Sequence, residues 1–145
     1  MVERVFAELA ARVEARQPWI ERATAGLAAI VELFAADPAL ARAAVVEVAA
    51  AGAEARRLHW EAIGRLAELL EPGHELASSG ELPANTALMA AGSVAGLISD
   101  ELLAGRGAEL RNRLPELVFA LLVPYVGTEV AAEEMRKAAA AQRGT

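Results

Sequence analysis

The chain contains no cysteine. That one absence removes disulfide frameworks, thiolate zinc sites, iron–sulfur clusters and thiol nucleophiles together. Histidine is nearly as scarce, with only His59 and His74, whereas a zinc site takes three or four ligands. Glu71 and His74 have a ligand-like spacing, but Pro72-Gly73 between them is expected to prevent the helical turn that would align the two side chains. There is no glycine-rich phosphate loop, no nucleophile beside a base, and no pair of Glu-x-x-His units for a di-iron bundle. Nothing populates an active-site constellation, so the expectation is a protein that is not an enzyme and carries no cofactor and no metal.

Basic clusters are missing too. The net charge is −6, and apart from Arg56-Arg57 and Arg136-Lys137 the cations stand singly, so the chain lacks the basic stripe that a phosphate backbone requires. DNA binding by this chain alone is not expected. The start MVERVFAEL puts charges where a signal peptide needs its apolar region, which predicts a cytoplasmic location. Alternating apolar runs are also absent: valine and isoleucine fall at helical intervals, and no window reads as a strand.

What is present is apolar residue, 55% of the chain, much of it alanine, the strongest helix former. The fold class is therefore all-α, and 145 residues make one domain. Residues 2–16 place Val2, Val5, Phe6, Leu9 and Val13 on one helical face. Gln17-Pro18 ends that helix. Pro18 opens a second, with Ile20, Ala23, Leu27, Ile30, Val31 and Phe34 on its buried stripe and Trp19, Gly26 and Leu33 widening it. Asp37 is an N-cap and Pro38 a first helical residue for a third helix, reaching to about Ala51. A fourth covers about Ala53 to Leu70, with His59, Ile63, Leu66 and Leu70 facing inward. Residues 71–82 read as a mobile loop around Ser78-Ser79-Gly80.

Between Glu81 and Asp100 no charge occurs. The segment 83–105 carries small residues at helical spacing, Gly92 with Gly96, and Ala91 with Ala95 and Ser99, a pattern that admits a second backbone at close range. Leu88, Val94, Leu97, Ile98 and Leu102 spread apolar bulk around it, so it should be covered on two sides. Asn85, Thr86, Ser93, Ser99 and the helix-weakening Pro83, Gly92 and Gly96 make it a poor hydrocarbon span, and no membrane contact is expected. Glu109 to Arg113 reads as a short polar stretch. Pro115 restarts a nearly all-apolar helix that Pro124 should bend. Gly127-Thr128 is a break and cap before a last, alanine-rich helix on the surface, frayed at its end.

Three runs in this order resemble the C-terminal half of tetracycline-repressor (TetR) family transcriptional regulators. They are FAADPALARAAVVEVAAAG (34–52), EARRLHWEAIGRLAELLEPG (54–73) and LPELVFALLVPYVG (114–127). The similarity runs from about Trp19 onward. It implies a six- to seven-helix bundle that pairs with a second copy of itself through a four-helix bundle, made here by 83–105 and 115–125. It also implies a small-molecule effector held between helices inside each subunit. The family's N-terminal helix-turn-helix unit has no counterpart here, and residues 2–16 correspond to the connector that follows it. DNA would be reached only through that missing reading head, and the expectation is a piece of a longer regulator.

On that resemblance, the effector-binding candidates are Leu27, Ile30, Phe34, Glu47, His59, Ile63, Asn85, Met89 and Phe119. Phe34, Met89 and Phe119 would converge, Asn85 could donate a hydrogen bond, and Met89 is adaptable. Asn85 could equally be a helix cap. His59 is either a hydrogen-bonded core histidine or an effector contact. Glu47 either reaches solvent, pairs with Arg22, Arg42 or Arg56, or faces a cavity. The dimer candidates are Leu88, Gly92, Ala95, Gly96, Ser99, Leu117 and Leu121. The alternative is a free-standing helical interaction or scaffold module with a filled interior; a helical lipid carrier is a third possibility.

Overall fold

The computed structural model describes residues 2–13, 16–77 and 80–144. Glu14 and Ala15 of the expected connector, and Ser78-Ser79 of the expected mobile loop, lie outside them. The structure is all-helical, with six helices and no strand among the described residues. Helix α1 is Val2–Arg12 and α2 is Trp19–Ala36. Helix α3 covers 38–50 and has three parts: an α turn over Pro38–Ala41, a π-helical stretch over Arg42–Glu47, and a last turn over Val48–Ala50. Helix α4 is Ala53–Leu70, α5 is Thr86–Leu103 and α6 is Leu110–Arg143.

The boundaries have local causes. Asp37 stops α2 and starts α3: its carboxylate accepts the backbone N–H of Leu40 at 3.0 Å, and Pro38 follows at the first position, where its missing N–H costs nothing. Gly105, at φ 76°, closes α5. Behind it the Arg106 N–H returns to the Glu101 carbonyl at 2.9 Å and the Gly105 N–H to the Leu102 carbonyl at 3.1 Å, a Schellman closure. The guanidinium of Arg42 donates to the Leu102 carbonyl at 3.1 Å and ties α3 to this same helix end.

Helix α6 departs from the expected polar stretch and restart at Pro115. It begins at Leu110 and contains both Pro115 and Pro124. Pro115 is the sixth residue of the helix, so its missing N–H leaves the Arg111 carbonyl without its i→i−4 donor; Gln142 donates to that carbonyl instead. The real interruption is Gly127, with φ 80° and ψ 171°, a conformation essentially reserved for glycine. There the chain reverses. Gln142 donates to the carbonyl of Arg111, although a straight helix would hold positions that far apart by roughly 46 Å at 1.5 Å per residue. The two arms, 110–126 and 128–143, thus form an antiparallel hairpin, and the end of the second arm is bonded to the start of the first.

The core runs through α2, α5 and the first arm of α6. Val31, Leu102, Leu110, Leu117, Leu122 and Tyr125 are its most deeply buried large side chains. By length and composition, α5 and the stretch 107–143 are each long and apolar enough to cross a membrane. Within the bundle, 44% of the apolar span of the first and 33% of that of the second are buried, through residues such as Ile98, Leu102, Leu117 and Leu122. Glu101 is also buried there. Arg106 grips its two carboxylate oxygens at 2.8 and 2.9 Å, and Arg113 approaches at 3.4 Å. The hydrogen bond from Arg106 and the two positive charges hold its carboxyl below the usual range against the opposing effect of burial.

Candidate functional site

A cavity of about 540 Å³, partly open to solvent, lies between the helices, and every one of the six contributes to its wall. This falls within the usual 300–1,000 Å³ of small-molecule sites. Helix α2 presents Leu27, Ile30 and Phe34, and α4 presents Ile63, Leu66 and Leu70. Ala91, Val94 and Ile98 come from α5, and Leu121 from α6. Ala44 and Val45 come from the π-helical stretch of α3; such irregular turns are rare and recur at functional sites.

Helix α1 closes one side with Val5, Phe6 and Leu9. It packs along α2 and is clamped to α4 by Arg65. The Arg65 guanidinium lies 3.8 Å from the centre of the Phe6 ring and donates to Glu3 at 2.7 Å. That hydrogen bond and the cation's charge hold the Glu3 carboxyl low. The apolar face of α1 was legible in the sequence, but its partner was not, because a connector's inner face and a cavity wall have the same periodicity.

Polar groups on the wall are few. His59 is half-buried, makes no hydrogen bond to the described residues, and meets Trp60 edge-on with ring centroids 6.1 Å apart. It is therefore not the hydrogen-bonded core histidine of the first alternative. Trp19 and Arg22 also line the cavity, and both the indole N–H and the guanidinium Nε are buried without a partner among the described residues. Neither is among the effector candidates: Trp19 belongs to the widened stripe of the second helix, and Arg22 enters only as an ion-pair partner for Glu47. The available signal was the position of Arg22, a charge on the stripe formed by Trp19, Ala23, Gly26 and Ile30.

Of the sequence candidates, the structure gathers Leu27, Ile30, Phe34, His59 and Ile63 on the wall. Glu47, Asn85, Met89 and Phe119 are not there. Glu47 is exposed and forms no ion pair with a described residue, which leaves the solvent-facing alternative. Asn85 and Met89 face outward on α5, the latter 55% exposed, and Asn85 makes no side-chain cap bond. Phe119 is half-buried on α6 and packs against the core from outside the cavity. Among the dimer candidates, Leu88, Gly92, Gly96 and Ser99 lie on the outer or lateral side of α5. A side chain at Gly92 or Gly96 would meet nothing within 4 Å. Leu117 is fully buried within its own chain, Leu121 is buried and lines the cavity, and Ala95 is half-buried and also lines it.

Below the cavity, residues Glu71–Leu76 form a 3-10 helix instead of the expected loop. In a 3-10 turn the side chains at i and i+3 eclipse, so Pro72-Gly73 does not separate Glu71 from His74. Their side chains lie 3.6 Å apart, too far for a hydrogen bond. Gly73 is buried beneath Trp19. Tyr125 meets Trp19 and His74 edge-on, at centroid distances of 4.9 and 5.9 Å. Burial, with a smaller contribution from the charge of Glu71, pushes the Tyr125 hydroxyl up to about 12.

No group of three or more metal-ligating side chains occurs among the described residues. No protein-family model, no curated protein and no solved structure matches the chain.

Proposed function

We propose that the chain is the effector-binding and homodimerisation domain of a TetR-like transcriptional regulator, and that the effector is a small, largely apolar molecule held between the helices. The observation that carries this reading is the 540 Å³ cavity with its almost wholly apolar wall. A scaffold module needs no such space, and leaving it empty forfeits packing.

The outer side of α5 supports the dimer. Leu88, Met89 and Leu103 are exposed there, and the Gly92–Gly96 row between them is open, so a second helix can approach closely. On α6 the half-buried Phe119 and Val123 take the places first assigned to Leu117 and Leu121. Regulation would run through α1. This helix corresponds to the connector of the resembling family, and it is also a wall of the cavity. An effector that binds one position of α1 better than another shifts the population of reading-head spacings by that difference in affinity.

The test is a thermal-unfolding screen of the chain against apolar small molecules. A ligand at a hundred times its Kd raises stability by about 2.7 kcal/mol. A screen with no stabilising compound would count against the reading.

A further inference from the structure

We infer that the ligand of the cavity is an amphipathic monocarboxylate, an apolar body carrying one carboxylate, and that Arg22 holds the carboxylate. This rests on the cavity being a ligand site, as proposed above.

The argument comes from what the wall lacks. Among the described residues that line it, no side chain carries an oxygen: there is no Asp, Glu, Ser, Thr, Asn, Gln or Tyr. The polar side chains are Arg22, Trp19 and His59. Arg22 and Trp19 offer only N–H donors, and the Arg22 Nε and the Trp19 Nε1 are both buried without an acceptor. A buried donor left unpaired is costly, more so on a charged group. The polar end of a matching ligand must therefore accept hydrogen bonds and need not donate any.

Charge narrows the class further. The chain has 20 acidic and 14 basic residues, and Arg57, Arg65, Arg106, Arg111 and Arg113 all have carboxylate partners. Arg22 has none among the described residues, although it is half-buried on the cavity wall with its Nε fully covered. A guanidinium presents a planar fork that fits a carboxylate and is always charged. One cation balances one negative charge, which favours a carboxylate over a phosphate monoester carrying nearly two. The rest of the wall is hydrocarbon. At roughly 30 Å³ per non-hydrogen atom, the share a water takes in the liquid, 540 Å³ accommodates about 18 such atoms. That is the size of a medium-chain to long-chain fatty acid or a fused-ring aromatic acid.

The test is calorimetric titration of the full chain with dodecanoate and with dodecanol, which share the chain and differ in the head. The wild type should bind dodecanoate at least about tenfold more tightly, the scale of a hydrogen bond to a charged group. Arg22→Met should lose that preference while still binding dodecanol, and Arg22→Lys should keep part of it. Equal affinities in the wild type, or a preference that survives Arg22→Met, would overturn the inference and leave the cavity reading standing. If neither compound binds the wild type, the cavity reading falls, and this inference with it.

Discussion

Single residues fix the floor of the cavity. A Cβ at Gly73 would stand 2.5 Å from Cζ2 of Trp19 and 2.9 Å from Cδ1 of Tyr125. Both contacts are ring atoms, not the ends of flexible chains, and the two rings are buried and packed edge-on at 4.9 Å, so neither yields cheaply. Gly73→Ala should therefore cost about 1–3 kcal/mol by overpacking, measured by urea unfolding. A variant as stable as wild type would mean that the 3-10 turn is not seated under Trp19. Tyr125 gives a pH test. An exposed tyrosine ionises near 10, and this one is held up to about 12 by burial. A raised folded value means the contribution is intact below pH 10 and disappears as pH rises through about 12. The chain has one tyrosine, so in Tyr125→Phe that part of the alkaline loss should be missing from the stability profile. Unchanged alkaline behaviour would show that the hydroxyl is not buried. His59 was legible as a cavity residue because Ile63, Leu66 and Leu70 share its stripe. Arg22 was equally well placed, but a lone charge among apolar neighbours reads first as a side chain reaching solvent.

At the scale of elements, the sequence is most informative where one residue type has one reason to be present. Asp37-Pro38, Gly105 and Gly127 each mark a reversal or a cap that the structure contains. Gly127→Ala should destabilise by about 1–3 kcal/mol, since its φ and ψ suit glycine alone. Calorimetric unfolding can check this, and a stability equal to wild type would place the reversal elsewhere. The phase of α5 was not legible. A helix without a charge from Pro83 to Ser99 has no polar side to mark solvent, so Asn85 and Met89 could be assigned to either face. Packing decides: Ala87, Ala90, Ala91, Val94 and Ile98 turn inward, and Met89 is left outside. The same ambiguity placed Leu117 and Leu121 at an interface when they belong to the core. The 3-10 turn at Glu71–Leu76 was hidden for a different reason. Pro-Gly reads locally as a stop, and the ring of Trp19 that draws the turn inward comes from a distant helix.

For the whole molecule, the all-α class was legible from alanine content and periodicity, whereas the space between the helices was not. Periodicity reports which side of a helix is apolar, and a filled core and an apolar cavity demand the same side. The account of the assembly predicts that the outer row of α5 joins two copies. Because the Cβ of residue 96 would meet nothing in the monomer, Gly96→Leu should leave the subunit fold intact and convert a dimer to monomer by light scattering. An unchanged dimer would remove this row from the interface. The central claim is that the interior binds an apolar molecule. Its most direct test is fluorescence titration with the neutral apolar dye N-phenyl-1-naphthylamine. The wild type is compared with Ala62→Phe/Ala95→Phe, which fills the cavity from α4 and α5. The account predicts a saturable rise in emission for the wild type that the filled variant loses. Equal emission from both proteins, or none from the wild type, would contradict it.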